Sequence, residues 1–147
     1  MKIEYIRGDL LTTDVRHIIH GCNSHGVMGS GVAKAIRDKY PQAYQDYNDV
    51  YNNYGLELGN IIVSVQNDGK VIHNAITQKD YGRDSSRVYV SYWAIAEAFR
   101  KINQWGVGEI AMPKIGSGLA NGDWNVISAI IENTLIDTRP IVYILED

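Results

Sequence analysis

The sequence predicts an α/β domain layered around a mostly parallel sheet, and three observations predict it. Strand-like runs alternate with runs of helical period along the chain. Turn residues bound each strand-like run, and one adjacent pair of runs is joined by Asp68-Gly69, a strong hairpin signal. The chain of 147 residues fits a single domain, 1–147, long enough to bury a real core, and it shows no repeat, linker or low-complexity segment.

The elements follow in order. KIEYI (2–6) and HIIH (17–20) are β-branched or alternating and read as strands. Residues 30–39 read as a helix, with Val32, Ala33 and Ile36 on one face, Lys34, Arg37 and Asp38 on the other, and Pro41 as its stop. Residues 42–53 are polar and tyrosine-rich, a surface helix ending before Gly55. NIIVSV (60–65) and KVIHNAI (70–76) flank the Asp68-Gly69 turn and are expected to pair antiparallel. Residues 86–104 place Tyr92, Ile95, Phe99 and Ile102 on one stripe of a helix. GEIAM (108–112) is a strand, residues 124–136 form a helix with Ile127, Ile130, Ile131 and Leu135 inward, and PIVYIL (140–145) is the last strand.

Composition narrows the function. Charged residues make up 21% and the formal net charge is −3, so no basic field draws in nucleic acid or a membrane surface. No run is apolar for long enough to cross a bilayer, and MKIEYI reads as a strand rather than a signal peptide. The single Cys22 excludes an internal disulfide and fits a reducing cytoplasm. Ten tyrosines beside one phenylalanine suit a small-ligand cleft, because tyrosine covers apolar surface while its hydroxyl stays wet.

Two loops carry the chemistry. GCNSHGVMGSGVA (21–33) and PKIGSGLANGDW (113–124) each contain Gly-Ser-Gly, each follows a strand, and each precedes a helix. Glycine leaves no Cβ between backbone and ligand, and successive N–H groups with a helix dipole behind them make an anion nest. In a parallel sheet such loops meet in the crevice beyond the strand ends. Two facing nests would hold a diphosphate. Neither loop is a dinucleotide fingerprint, since Lys34 and Asn121 stand where a third glycine belongs, and no Gly-Lys-Ser/Thr is present.

Together GDLL (8–11), HGCNSHGVMGSGVA (20–33), KYPQAYQDYNDVYNNYGLELG (39–59) and MPKIGSGLANGDW (112–124) resemble the macro domains. Within that family the resemblance is to the ADP-ribose 1″-phosphate phosphatase branch. It implies a three-layer α/β/α sandwich with a mixed, mostly parallel central sheet, a cleft for ADP-ribose or ADP-ribose 1″-phosphate, and no cofactor. It implies that Asp9, with Leu10 beside it, meets the adenine amine and that Asn23 meets the distal ribose. Gly29, Ser30, Gly31 and Val32 match the first diphosphate loop. Ile115, Gly116, Ser117, Gly118 and Leu119 match the second, and Tyr81 falls near the distal ribose.

His20 matches a histidine implicated in the phosphatase branch, His25 stands on the first loop near a distal phosphate, and Asp123 is a possible base. Each has a structural alternative: a core histidine, a loop residue and a helix cap. Relatives that remove ADP-ribose from macromolecules carry a lysine where this chain has Gln78 and an aspartate where it has Ala120, which argues against a lysine-adduct mechanism unless Lys79 serves instead. No metal is expected, because His17 and His20 at i and i+3 of a strand face opposite ways and His20, Cys22 and His25 lack a fourth ligand. The resulting expectation is a phosphatase acting on ADP-ribose 1″-phosphate, with a non-catalytic ADP-ribose binder or a macromolecular de-ADP-ribosylating hydrolase as alternatives.

Overall fold

The computed structural model describes residues 1–145. Its elements are β1 (Glu4–Arg7), β2 (His17–Asn23), α1 (Gly31–Lys39), α2 (Pro41–Tyr54), β3 (Ile61–Val65), β4 (Val71–Gln78), α3 (Tyr92–Gln104), β5 (Glu109–Met112), α4 (Trp124–Thr134) and β6 (Arg139–Ile144). The strands form one sheet in the order β1-β6-β5-β2-β4-β3. All neighbours are parallel except β3 and β4. The antiparallel pair turns at Gly69, whose φ of +90° suits glycine, with Gln66 N donating to Lys70 O at 2.8 Å. The expected α/β/α sandwich with a mixed, mostly parallel sheet is what the chain forms.

The alternation of side chains along β2 and β4 assigns the two layers. Ile19 and Ala75 face α3 and α4, where Ile95, Phe99, Ile102, Ile127 and Ile131 are fully buried. Each such side chain stabilises the fold by roughly 1.5–3 kcal/mol relative to exposure. Ile18 and Ile72 face α1 and α2, against Ile36 and Ala43. Tyr47 of α2 is fully buried in the same layer, so the tyrosine-rich helix is more than a surface element.

Two boundaries differ from expectation, and both matter for function. β2 runs on through Gly21 and Cys22 to Asn23, pairing with β4 until a register shift between Cys22 and Asn23. Gly21 is required there because a Cβ would stand 2.6 Å from Thr77 Oγ1. α3 starts at Tyr92 rather than near 86, because Ser91 caps it by accepting from Ala94 N and Val90 bridges to Gln78. Residues 79–91 are thereby left as a strap without regular structure.

Candidate functional site

β2 and β5 lie side by side at the middle of the sheet, with Ile18 opposite Ala111, so their carboxyl-end loops share one edge. Between these loops opens a cleft of about 730 Å³, within the ~300–1,000 Å³ of small-molecule sites. Gly29, Ser30, Gly31 and Val32 line one wall, and Ile115, Gly116, Gly118 and Leu119 line the other. A Cβ built on Gly31 would lie 3.7 Å from Leu119 Cδ1, so the walls face each other at that point. The strap supplies the third wall through Tyr81, Gly82 and Arg83.

The first wall is an open helix end. Ser30 stands at the N-cap of α1, yet its side chain makes no cap hydrogen bond and the first turn holds no acid. The N–H groups of that turn are therefore left to the cleft, with the positive end of the helix dipole behind them. The second wall is built differently from expectation. Gly116, at φ +80°, accepts through its carbonyl from Gly122 N at 2.8 Å, closing the loop on itself. α4 begins only at Trp124, and Asp123 already caps it by accepting from Asn125 N at 2.9 Å. The dipole of α4 is thus answered by Asp123 and adds nothing to the cleft.

Electrostatically the cleft is one-signed. Its lining contains Arg83 and Lys114 and no carboxylate, in a chain whose net charge is −3. Sequence reasoning missed both cations. Lys114 sits in the quoted loop, but Arg83 enters the cleft only because β4 lies parallel beside β2 and delivers its own carboxyl-end segment to the same edge.

Asn23 lines the cleft at 8% exposure, and its amide is largely committed. Its Oδ1 accepts from His25 N at 2.9 Å and from the Tyr47 hydroxyl at 3.0 Å, while Nδ2 donates to Val27 O at 2.8 Å. The single Tyr47 proton is shared with the nearer Asn23 O, at 2.6 Å, so Asn23 keeps one N–H and a partly free Oδ1 to offer a ligand. Burial of α2 against β2 and β4 pushes the Tyr47 hydroxyl well above its usual titration range, which keeps it a donor.

The catalytic candidates separate sharply. His20 is fully buried, and its Nε2 lies 2.6 Å from Asn74 Oδ1. Asn74 donates to Ala43 O and Ile62 O, which turns its carbonyl oxygen to His20 and makes Nε2 the donor. Desolvation holds the imidazole neutral, its pKa lowered to about 4. The structure thus places His20 in the core, 3.6 Å from Cys22 Sγ and outside the cleft lining, the structural alternative named for it. Cys22 lines the cleft, but burial pushes its thiol up and leaves it unreactive. Asp123 caps α4 and lies outside the cleft lining. The Leu10 side chain packs in the core with Val15, Ile18 and Ile36. Ser117 spends its hydroxyl on Lys114 O at 2.8 Å and is not part of the lining.

His25 is not part of the cleft lining but touches two residues that are, Asn23 and Tyr81. Its Nε2 is 2.9 Å from Asp80 Oδ1, and its ring meets Tyr81 edge-on with centroids 5.9 Å apart. Asp9 lies off the cleft lining, following β1 at the same edge of the sheet, where its carboxylate accepts from Leu11 N at 2.9 Å. Gln78 lines the cleft and donates to Asp80 O at 2.8 Å, whereas Lys79 is absent from the lining and its carbonyl binds Ser24. Among the described residues no helix is long and apolar enough to cross a membrane.

The family model described as Macro domain matches residues 19–131. The chain belongs to the macro domain family. This macro domain is 27% identical over 135 residues to an ADP-ribose 1″-phosphate phosphatase of Candida albicans, covering 83% of this chain and 86% of that protein. It is 30% identical over 125 residues to a DNA ADP-ribosyl glycohydrolase of Mycobacterium tuberculosis, covering 83% of this chain and 35% of the relative's length. The fold superposes on the macrodomain of Thermus aquaticus DarG with a TM-score of 0.82 at 25% identity, covering 97% of both chains.

Proposed function

We propose that this macro domain binds ADP-ribose 1″-phosphate and hydrolyses its terminal phosphate ester, releasing ADP-ribose and inorganic phosphate. The observation that carries the reading is a cleft without carboxylates, lined by Arg83 and Lys114, that runs between the uncapped amino end of α1 and the second glycine loop. Such a cleft suits a polyanion held chiefly by backbone N–H groups. Its length suits the rest of the ligand. Asp9 follows β1, two strands from β5, hence about 10 Å along the edge at ordinary strand spacing. An elongated nucleotide would reach that carboxylate with its base while its diphosphate lies between the loops. Relatives named as phosphatases and as glycohydrolases both occur; Gln78 and Ala120 at the positions noted above favour the phosphatase.

In the reaction, the oxygen of a water forms a bond to phosphorus, and the bond from phosphorus to the ribose oxygen breaks. The electron pair of that bond goes to the ribose oxygen, which ends with a proton from the water. Phosphoryl transfer of this kind rests on positioning and on neutralising the equatorial oxygens, which suits Arg83, Lys114 and the loop amides. His25, beside the cleft against Tyr81, is the group that would move the proton.

The test has two arms. Purified protein should bind ADP-ribose at least tenfold more tightly than AMP and release phosphate from ADP-ribose 1″-phosphate, with ADP-ribosylated protein and DNA run alongside. Gly118→Val should fold normally, because a Cβ there meets nothing within 4 Å and φ is not positive. It should still abolish binding by filling the cleft. AMP binding as tight as ADP-ribose binding, or a Gly118→Val protein that binds normally, would remove the two-loop cleft. Tight ADP-ribose binding with no phosphate release would make the domain a binding module.

A further inference from the structure

His25, Asp80 and Arg87 form a chain of three groups beside the cleft, none of them in its lining, one from the first loop and two from the strap. Asp80 Oδ1 is 2.9 Å from His25 Nε2, and Asp80 Oδ2 is 2.6 Å from Arg87 Nη2. Each oxygen of the carboxylate thus has its own donor. The imidazole and guanidinium contacts hold Asp80 below the usual carboxylate range. Since an ionised carboxylate only accepts, the proton of the neutral imidazole sits on Nε2. Among the described residues Nδ1 of His25 has no hydrogen-bond partner. The backbone N–H of the same residue donates to the cleft-lining Asn23, and its ring edge rests against the cleft-lining Tyr81. The titratable or charged groups facing His25 are Asp80 and Tyr81, with Arg87 behind Asp80.

We infer that Asp80 is a positioning residue, oriented by Arg87, that holds His25 in the Nε2–H form and keeps Nδ1 as the site of proton exchange at the distal end of the ligand. The inference rests on the phosphatase reading for its kinetic consequence, but not for its spectroscopic one. A base or acid oriented by a third group is a general device for proton transfer, and the tautomer is what that third group controls. An exposed ion pair serving only as a staple would stabilise the strap weakly and leave the tautomer irrelevant.

Asp80→Asn tests the point because it changes charge and not shape. Arg87 only donates, so it takes the single carbonyl oxygen of the new amide and turns the NH₂ group to His25 Nε2. That nitrogen must then carry the lone pair, and the proton moves to Nδ1. Neutral His25 loses its free lone pair there, and the doubly protonated ring is disfavoured by a donor facing a donor.

The measurements are ¹⁵N imidazole shifts of His25 and single-turnover phosphate release, beside the ADP-ribose dissociation constant. The parent should show Nε2–H, Asp80→Asn should show Nδ1–H, and Asp80→Glu should restore Nε2–H. Phosphate release should fall about 10²–10⁴-fold in Asp80→Asn and in His25→Ala, and recover in part with Asp80→Glu. ADP-ribose affinity should stay within about twofold throughout. An unchanged tautomer in Asp80→Asn, or affinity falling as much as turnover, would overturn the inference in favour of a staple. Should the parent release no phosphate, the phosphatase reading fails on its own. The inference is then decided by whether the His25 Nδ1 resonance moves when ADP-ribose 1″-phosphate binds; a stationary resonance sinks it.

Discussion

His20 and His25 bracket Asn23 in sequence, and burial alone separates their chemistry. His20 spends its Nε2 proton on Asn74 and stays neutral to a pKa of about 4; His25 has 45% of its side chain exposed and hydrogen-bonds Asp80. His20→Ala should therefore act on stability. It leaves a void and strips Asn74 Oδ1 of its donor, so we expect a loss of about 2–4 kcal/mol in chemical denaturation. A His20→Ala protein as stable as the parent but slow in turnover would return His20 to the reaction. At the same scale Asn23 shows how neighbours narrow a side chain's repertoire: one Nδ2 proton is spent on Val27 O, and Oδ1 accepts from His25 N.

Among the elements, the strap 79–91 joins the two glycine loops. Ser24 N and Oγ hold Lys79 O from the first loop, at 3.2 and 2.9 Å. From the second, Ala120 O accepts from Tyr89 N at 2.8 Å, and Asn121 Nδ2 donates to Asp84 O and Arg87 O at 3.0 and 2.8 Å. Asn121 does this from a left-handed backbone, φ +60°, which asparagine tolerates. Asn121→Gly keeps that backbone and removes both hydrogen bonds, worth roughly 0.5–1.5 kcal/mol each. Amides of residues 84–90 should then exchange about tenfold faster, ADP-ribose should bind several-fold more weakly, and overall stability should fall by roughly 1–3 kcal/mol. Unchanged exchange in hydrogen–deuterium measurements would mean that the strap holds itself.

Over the whole molecule, two buried neutral histidines tie stability to pH. His20 faces α2, and His73 lies on the opposite layer, 2.9 Å from His17 and stacked on Trp105. Burial lowers the pKa of each to about 4. Between an unfolded value near 6.5 and the folded value near 4, the unfolded chain binds the extra protons, so unfolding is favoured as pH falls. Stability should be full above pH 6.5 and decline toward pH 4 with a slope of up to about 2.7 kcal/mol per pH unit for two groups. Urea midpoints at pH 7.5, 6 and 5 read this directly; a midpoint flat across that range would contradict the burial of both rings as neutral species.

What the sequence by itself determined is what local chemistry governs. Alternating strand and helix periods named the layers, Asp68-Gly69 named the one antiparallel neighbour, and two Gly-Ser-Gly loops after β2 and β5 named the cleft walls. Each of these depends on residues within a few positions of one another. Tertiary structure decided the rest, because it depends on which strand lies beside which. Pairing with β4 made Gly21 part of β2, Thr77 leaves no room there for a Cβ, and Asn74 on β4 holds His20 in the core. The parallel pairing of β2 with β4 brought the strap to the cleft, and with it Arg83 and Asp80. None of those partners is near in sequence, so no local pattern of HGCNSH distinguishes the histidine that is buried from the one that meets an aspartate 55 residues away.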